Sequence, residues 1–140
     1  MSFGENIAPV VGRCMMAALF ILAGIGKLQH WDETAAGMTA HGISPAGPLL
    51  ALSIMVELGA GAALVAGFRT RLMALVLFLF TLVVSFMMHD FWNIKDNADL
   101  AQMQMQLFAK NMAIAGGLLL LVGMGAGRLS FDGWRGEDEE

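Results

Sequence analysis

Four stretches of this chain are too long and too apolar for a water-soluble domain. They are Ile7–Gly26, broken only by Arg13; Pro48–Gly67, broken only by Glu57; Leu72–Met88, with no charge; and Leu107–Gly125, with Lys110 near its start. A bilayer core about 30 Å thick takes roughly 20 helical residues to cross, and each stretch approaches that length. Each is apolar nearly all round, the pattern of a helix surrounded by lipid rather than of an amphipathic surface helix. The period-two alternation of a membrane β-barrel is missing. The predicted fold is all-α, an integral membrane four-helix bundle with antiparallel spans at about 7–28, 48–68, 71–89 and 107–126. Residues 1–140 read as a single transmembrane domain with a short acidic tail, 133–140, that ends Glu137-Asp138-Glu139-Glu140.

Composition agrees. Charged residues make up 14% of the chain and hydrophobic ones 57%, against about a quarter charged in a soluble domain. The net charge of −4 comes with no basic patch, so nucleic acid is excluded as a partner. The single cysteine, Cys14, excludes a disulfide within the chain, and its place in an apolar span makes it inert. The first span lacks the basic lead and Ala-x-Ala-like site of a cleaved signal peptide and is expected to stay in the membrane. Arg13, Arg69, Arg71, Arg128 and Arg135 lie on the side of the termini, against Lys27, Lys95 and Lys110 on the other. That balance predicts cytoplasmic termini. Arg69-Thr70-Arg71 predicts a tight hairpin between spans two and three, and the longer loops Leu28–Gly47 and His89–Gln106 then face outward.

A charge at bilayer depth is costly, about 2.5–3.5 kcal/mol on the translocon scale, and seeks the bundle interior and a partner. Glu57 is the deepest, with Ser53 and Gly61 on its face. It reads either as a proton-handling carboxylate or ligand anchor, or as half of an ion pair that fixes packing. Arg13 and Lys27 share one stripe of span one with Ala17, Phe20 and Gly24. Arg13 is expected to reach inward to Glu57 or to touch headgroups, and Lys27 to snorkel outward as an interfacial anchor. Thr81, Ser85 and His89 form a polar stripe on span three, ending in a histidine that either relays protons or sits at the interface beside Asp90. Lys110 and Asn111 are expected at the start of span four as an anchor and cap. Lys27, His89, Lys110 and Asn111 then ring an outer mouth above Glu57, which suits an amphipathic ligand with a polar head, a quinone or a lipid.

No zinc spacing is present, the methionines are packing residues rather than copper ligands, and no Gly-rich phosphate loop follows a strand. No metal or covalent cofactor is expected.

The ordered pieces of the chain resemble the DoxX family of small bacterial four-helix membrane proteins, over about Gly12 to Asp132. They are Arg13 with Leu19-Phe20-Ile21-Leu22-Ala23-Gly24-Ile25-Gly26-Lys27-Leu28; Glu57-Leu58-Gly59 with Gly67-Phe68-Arg69-Thr70-Arg71; His89-Asp90-Phe91-Trp92; Lys110-Asn111-Met112-Ala113-Ile114-Ala115-Gly116-Gly117; and Gly125-Ala126-Gly127-Arg128-Leu129-Ser130-Phe131-Asp132. The resemblance implies a multi-pass protein of the bacterial inner membrane. The family is named for a subunit of an archaeal thiosulfate:quinone oxidoreductase, and other members are linked to membrane redox complexes or oxidative-stress responses. It therefore implies an accessory subunit of a quinone-linked redox system, with quinone as ligand and a membrane or periplasmic redox protein or a second copy as partner. The site residues implied are Arg13, Lys27, Glu57, His89, Lys110 and Asn111. Two other readings stand beside it: a non-catalytic structural or assembly protein, and a small lipid or solute transporter.

Overall fold

Lipid offers no hydrogen bonds, so a spanning segment must satisfy its backbone internally, and the apolar stretches are helical throughout. The computed structural model describes residues 2–136. In chain order it contains α1 (Phe3–Gln29), α2 (Trp31–Ala40), α3 (Ala46–Ala66), α4 (Thr70–Met88), a 3₁₀ turn (Phe91–Asn93), α5 (Ala98–Met124) and α6 (Phe131–Arg135). Four of them, α1, α3, α4 and α5, are long and apolar enough to cross a membrane. The run Glu137-Asp138-Glu139-Glu140 lies outside the described residues.

The spans match the predicted ones, and the connections differ. The stretch expected as the first outer loop contains α2, whose polar surface gave no hydropathy signal and which buries no residue. The fourth span starts at Ala98 rather than near Leu107, because Asn97 caps it, its side chain accepting the Leu100 N–H at 3.1 Å. Lys110 and Asn111 are therefore not at a helix start. They lie roughly 18 Å along α5 at 1.5 Å per residue.

α1 packs along α3, and α4 along α5; α3 and α4 join the pairs, while α1 and α5 meet only sparsely. The core is Ala17, Phe20, Ala60, Leu64, Ala74, Leu77 and Leu118. Close approach of α1 and α3 depends on two glycines. A Cβ on Gly24 would come within 2.8 Å of the Leu58 side chain, and one on Gly61 within 2.9 Å of Ile21. Across the sparse seam, Met16 of α1 covers Gly117 of α5.

At the end that carries the termini, the chain ties itself into a knot of backbone hydrogen bonds. The buried Arg13 guanidinium donates to the carbonyls of Ala126 (2.6 Å) and Leu129 (3.1 Å), with Val65 at 3.4 Å. Asp132 accepts the N–H groups of Arg69 and Thr70, both at 2.8 Å, and so caps α4 at its N-terminus. Its own N–H donates to Gly67 O at 2.9 Å. The turn so held contains Gly67 (φ 67°) and Arg69 (φ 45°), both left-handed. The expected pairing of Arg13 with Glu57 is thus corrected: Arg13 is committed to two carbonyls of the connection between α5 and α6 and to one at the end of α3.

Candidate functional site

Glu57 lies in the middle of α3, 3% exposed, where an unpaired carboxylate would be very costly. Its partner is Lys27. The Nζ donates to Glu57 Oε1 at 2.6 Å and to Ser53 Oγ at 2.9 Å, and lies 5.3 Å from the centroid of the Phe80 ring. The register of α1 against α3 decides this choice of base. Gly24 sits beside Leu58 and Glu57, so Lys27 is one turn outward, within reach of a bent lysine stem. Arg13 is eleven residues further in along α1, about 16 Å at 1.5 Å per residue, beyond any side chain. Lys27 therefore turns inward rather than snorkelling to the interface.

The second carboxylate oxygen, Glu57 Oε2, is buried and has no hydrogen-bond partner among the described residues. Glu57 lines a cavity of about 80 Å³ between the two helix pairs. Its other polar lining comes from Thr81 and Asn111, and its apolar lining from Leu19, Phe20, Phe80, Val84 and Ile114. All four spanning helices contribute. Thr81 donates its hydroxyl proton to Leu77 O at 2.7 Å, so it presents only lone pairs. The Asn111 amide makes no side-chain hydrogen bond to a described residue, which leaves one oxygen and two N–H groups to offer. At membrane depth this is an acceptor-rich crevice on the side where α1 and α5 are least closely packed.

Of the six residues singled out in the sequence, Lys27, Glu57 and Asn111 belong to this one neighbourhood. Arg13 is at the opposite end. His89 is bonded through Nδ1 to Gln104 Oε1 at 2.7 Å, beside an aromatic cluster in which Phe86, Phe91, Trp92 and Phe108 meet edge-to-face or tilted at centroid distances of 5.2–6.0 Å. Lys110 is exposed on α5. Ser85, like Thr81, bonds back into its own helix, to Thr81 O at 2.6 Å. Phe80 and Gln104 escaped the sequence reading. Phe80 is one apolar residue among many in α4, and Gln104 falls in the stretch His89–Gln106 that reads as a loop. The signal for Gln104 was its place one turn and a half before Lys110 once α5 is extended to Asn97.

Comparison with known proteins places this geometry in context. The DoxX family model matches residues 8–90. The chain is 38% identical to inner membrane protein YqjF of Escherichia coli, over 91% of this chain and 92% of that protein. It is 32% identical to inner membrane protein YphA of the same bacterium, over 88% of this chain and 86% of that protein. A shorter likeness, 32% over 78 residues, links it to a Surfeit locus protein 4 homolog of Schizosaccharomyces pombe, over 56% of this chain and 26% of that protein. No solved structure matches.

Proposed function

The chain belongs to the DoxX family of inner-membrane proteins, and from that premise we propose that it is an accessory subunit of a quinone-linked membrane redox system or oxidative-stress complex. The crevice at Glu57 holds the polar head of a quinone-class ligand. The termini face the cytoplasm, with five arginines on that side against three lysines on the other.

The observation that carries the proposal is the orphaned Oε2 of Glu57. A buried acceptor without a partner forfeits its full hydration, about 1–3 kcal/mol or more for a charged group. The donor set and shape fit a quinone-class head in part. Apolar walls suit the ring, and Asn111 can donate to one of its oxygens, whereas Thr81 has already given its hydroxyl proton to Leu77 O. At about 80 Å³ the cavity is smaller than the roughly 150 Å³ that encloses benzene, so one edge of the ring enters and the rest lies in the seam between α1 and α5.

Support for a subunit role comes from the outward face of α5. Gln102, Gln106, Ala109, Ala113, Gly116, Leu120 and Gly123 recur at alternating four- and three-residue steps, and all are exposed. Seams of small and amide side chains at this spacing pack closely against another membrane helix. That face suits the spanning helix of the redox partner.

The test is mass spectrometry of small molecules extracted from protein purified in mild detergent, wild type beside Glu57→Gln and Asn111→Leu. Near-stoichiometric quinone in the wild type, lost in both variants, is the expected result. Protein that is free of quinone and does not take it up when supplied refutes the reading. The structural alternative rests on the Lys27–Glu57 pair itself, since such a pair can serve packing alone. It gains if the variants lose stability and no ligand is ever found.

A further inference from the structure

Of the charges within the four apolar stretches, all but one are answered inside the chain. Arg13 is given to carbonyls, and Glu57 is given to Lys27. Lys110 is exposed, and no hydrogen bond, ion pair or ring contact engages it among the described residues. His89, which ends α4, is tied to Gln104, and Lys110 lies further in along α5 by about 9 Å at 1.5 Å per residue. A cation at that depth on a lipid-facing surface is costly until an anion or water meets it.

The helix fixes where Lys110 stands. Lys110 and Gly117 lie two turns apart on one stripe of α5. Gly117 is the residue that Met16 of α1 covers, and Ile114, one turn from Lys110, lines the crevice. Lys110 therefore stands over the seam between α1 and α5. It is roughly a quarter to a third of a turn round from Leu120 and Gly116, on the face offered to a partner helix. The two helices run antiparallel, so two turns outward from the Met16 contact bring Ala23 opposite Lys110. Gly26 continues the stripe of Leu19 in the same way. Ala23 is exposed, and a Cβ on Gly26 would meet nothing within 4 Å. The seam thus closes at Met16 and Gly117 and opens outward into a groove. One wall of that groove is small and apolar, and the other carries an unpaired ammonium.

We infer that this groove binds an anionic phospholipid, its phosphate held by Lys110 and one acyl chain lying along Ala23 and Gly26. The apolar wall suits the chain and the ammonium suits the phosphate. The flexible lysine stem brings the charge outward to headgroup level. The inference does not depend on what the crevice holds. Magnitudes separate such a site from diffuse attraction. A lysine near an anionic bilayer gains about fivefold from the surface potential wherever it stands. A charge-assisted hydrogen bond to a seated phosphate is worth about tenfold or more.

The test is native mass spectrometry of the full chain in neutral detergent micelles, titrated with dioleoyl phosphatidylglycerol or dioleoyl phosphatidylcholine. One phosphatidylglycerol per chain should bind at least about tenfold tighter than phosphatidylcholine. Lys110→Met should abolish that preference. Lys95→Met, which removes an exposed lysine from the connection before α5, should preserve it. Gly26→Leu fills the groove without touching a charge and should weaken phosphatidylglycerol about as much as Lys110→Met; the open space at its Cβ leaves the fold intact. Equal affinity for the two lipids, or an equal loss in Lys95→Met, overturns the inference. Full binding by Gly26→Leu also overturns it, because the lysine then only touches the headgroup layer. Glycerol 3-phosphate, the head without its chains, should not compete at equal concentration; if it does, the lipid assignment falls. None of these outcomes touches the quinone extraction above, so the two readings fail separately.

Discussion

Removing Lys27 alone should cost far more stability than removing it together with Glu57. Lys27→Met keeps a long apolar stem and deletes the ammonium. Glu57 then remains 3% exposed without the 2.6 Å partner that holds it. Breaking a buried pair from one side costs about 3–5 kcal/mol. The Lys27 side chain is 24% exposed, so water reaches part of the pair and the lower end applies, about 3 kcal/mol. That is roughly a hundredfold in the folded population. Glu57→Leu alone should cost about 1 kcal/mol, since the freed lysine can keep Ser53 or snorkel outward. With Lys27→Met and Glu57→Leu combined, both desolvation penalties disappear, and replacing such a pair by apolar side chains is often neutral. A double mutant within about 1 kcal/mol of wild type implies a coupling of about 3 kcal/mol. The assay is reversible unfolding in mixed micelles by added dodecyl sulfate, followed by fluorescence of the three tryptophans. If the double mutant shows the plain sum of the single losses, the pair stores no interaction energy and the register argument built on it fails. The double mutant should also lose ligand while keeping its fold, which separates the site from the scaffold.

Two further perturbations act elsewhere. Asp132→Ala removes the acceptor for two N–H groups at the start of α4 and should cost about 1–2 kcal/mol, seen as a lower melting temperature with ligand affinity unchanged; ligand loss at unchanged stability would contradict a purely scaffolding role. Gly116→Ile adds a side chain where a Cβ meets nothing within 4 Å, so the melt should hardly move. Native mass spectrometry of the extracted complex should nevertheless lose the partner subunit, and a complex that survives the change removes α5 as the docking helix.

What could be read from the sequence follows what lipid demands. Hydropathy located all four spans because the bilayer forbids anything but a closed hydrogen-bonded helix there. It did not locate α2 or the first nine residues of α5, because those segments are polar and are signalled by propensity and, for α5, by the Asn97 cap rather than by apolar runs. Glu57 stood out for the same reason as the spans: a lone acid in a long apolar run needs a partner. Which base answers it was not legible. Arg13 and Lys27 lie on one stripe of α1, and only the vertical offset between α1 and α3 separates them. That offset is set by the fit of Gly24 against Leu58, a contact between residues far apart in sequence. The crevice was equally hidden, since Thr81 and Asn111 meet Glu57 only once four helices have been assembled.

Most of the pieces that carry the family resemblance fall in two places with different physical tasks. Arg13, Gly67 to Arg71 and Gly125 to Asp132 all fall in the knot, where an arginine and an aspartate satisfy exposed helix ends and a left-handed turn. Most polar atoms there answer another within the chain, although Arg13 Nε and Thr70 Oγ1 are buried without a partner among the described residues. Gly24, Lys27, Glu57 and Asn111 fall at the crevice, where the bookkeeping does not close: one buried carboxylate oxygen and one side-chain amide are left over. Protein interiors rarely leave such groups unanswered. Glu57 and Asn111 line one cavity to which all four spanning helices contribute, and that convergence at membrane depth is the reason to look for a ligand there.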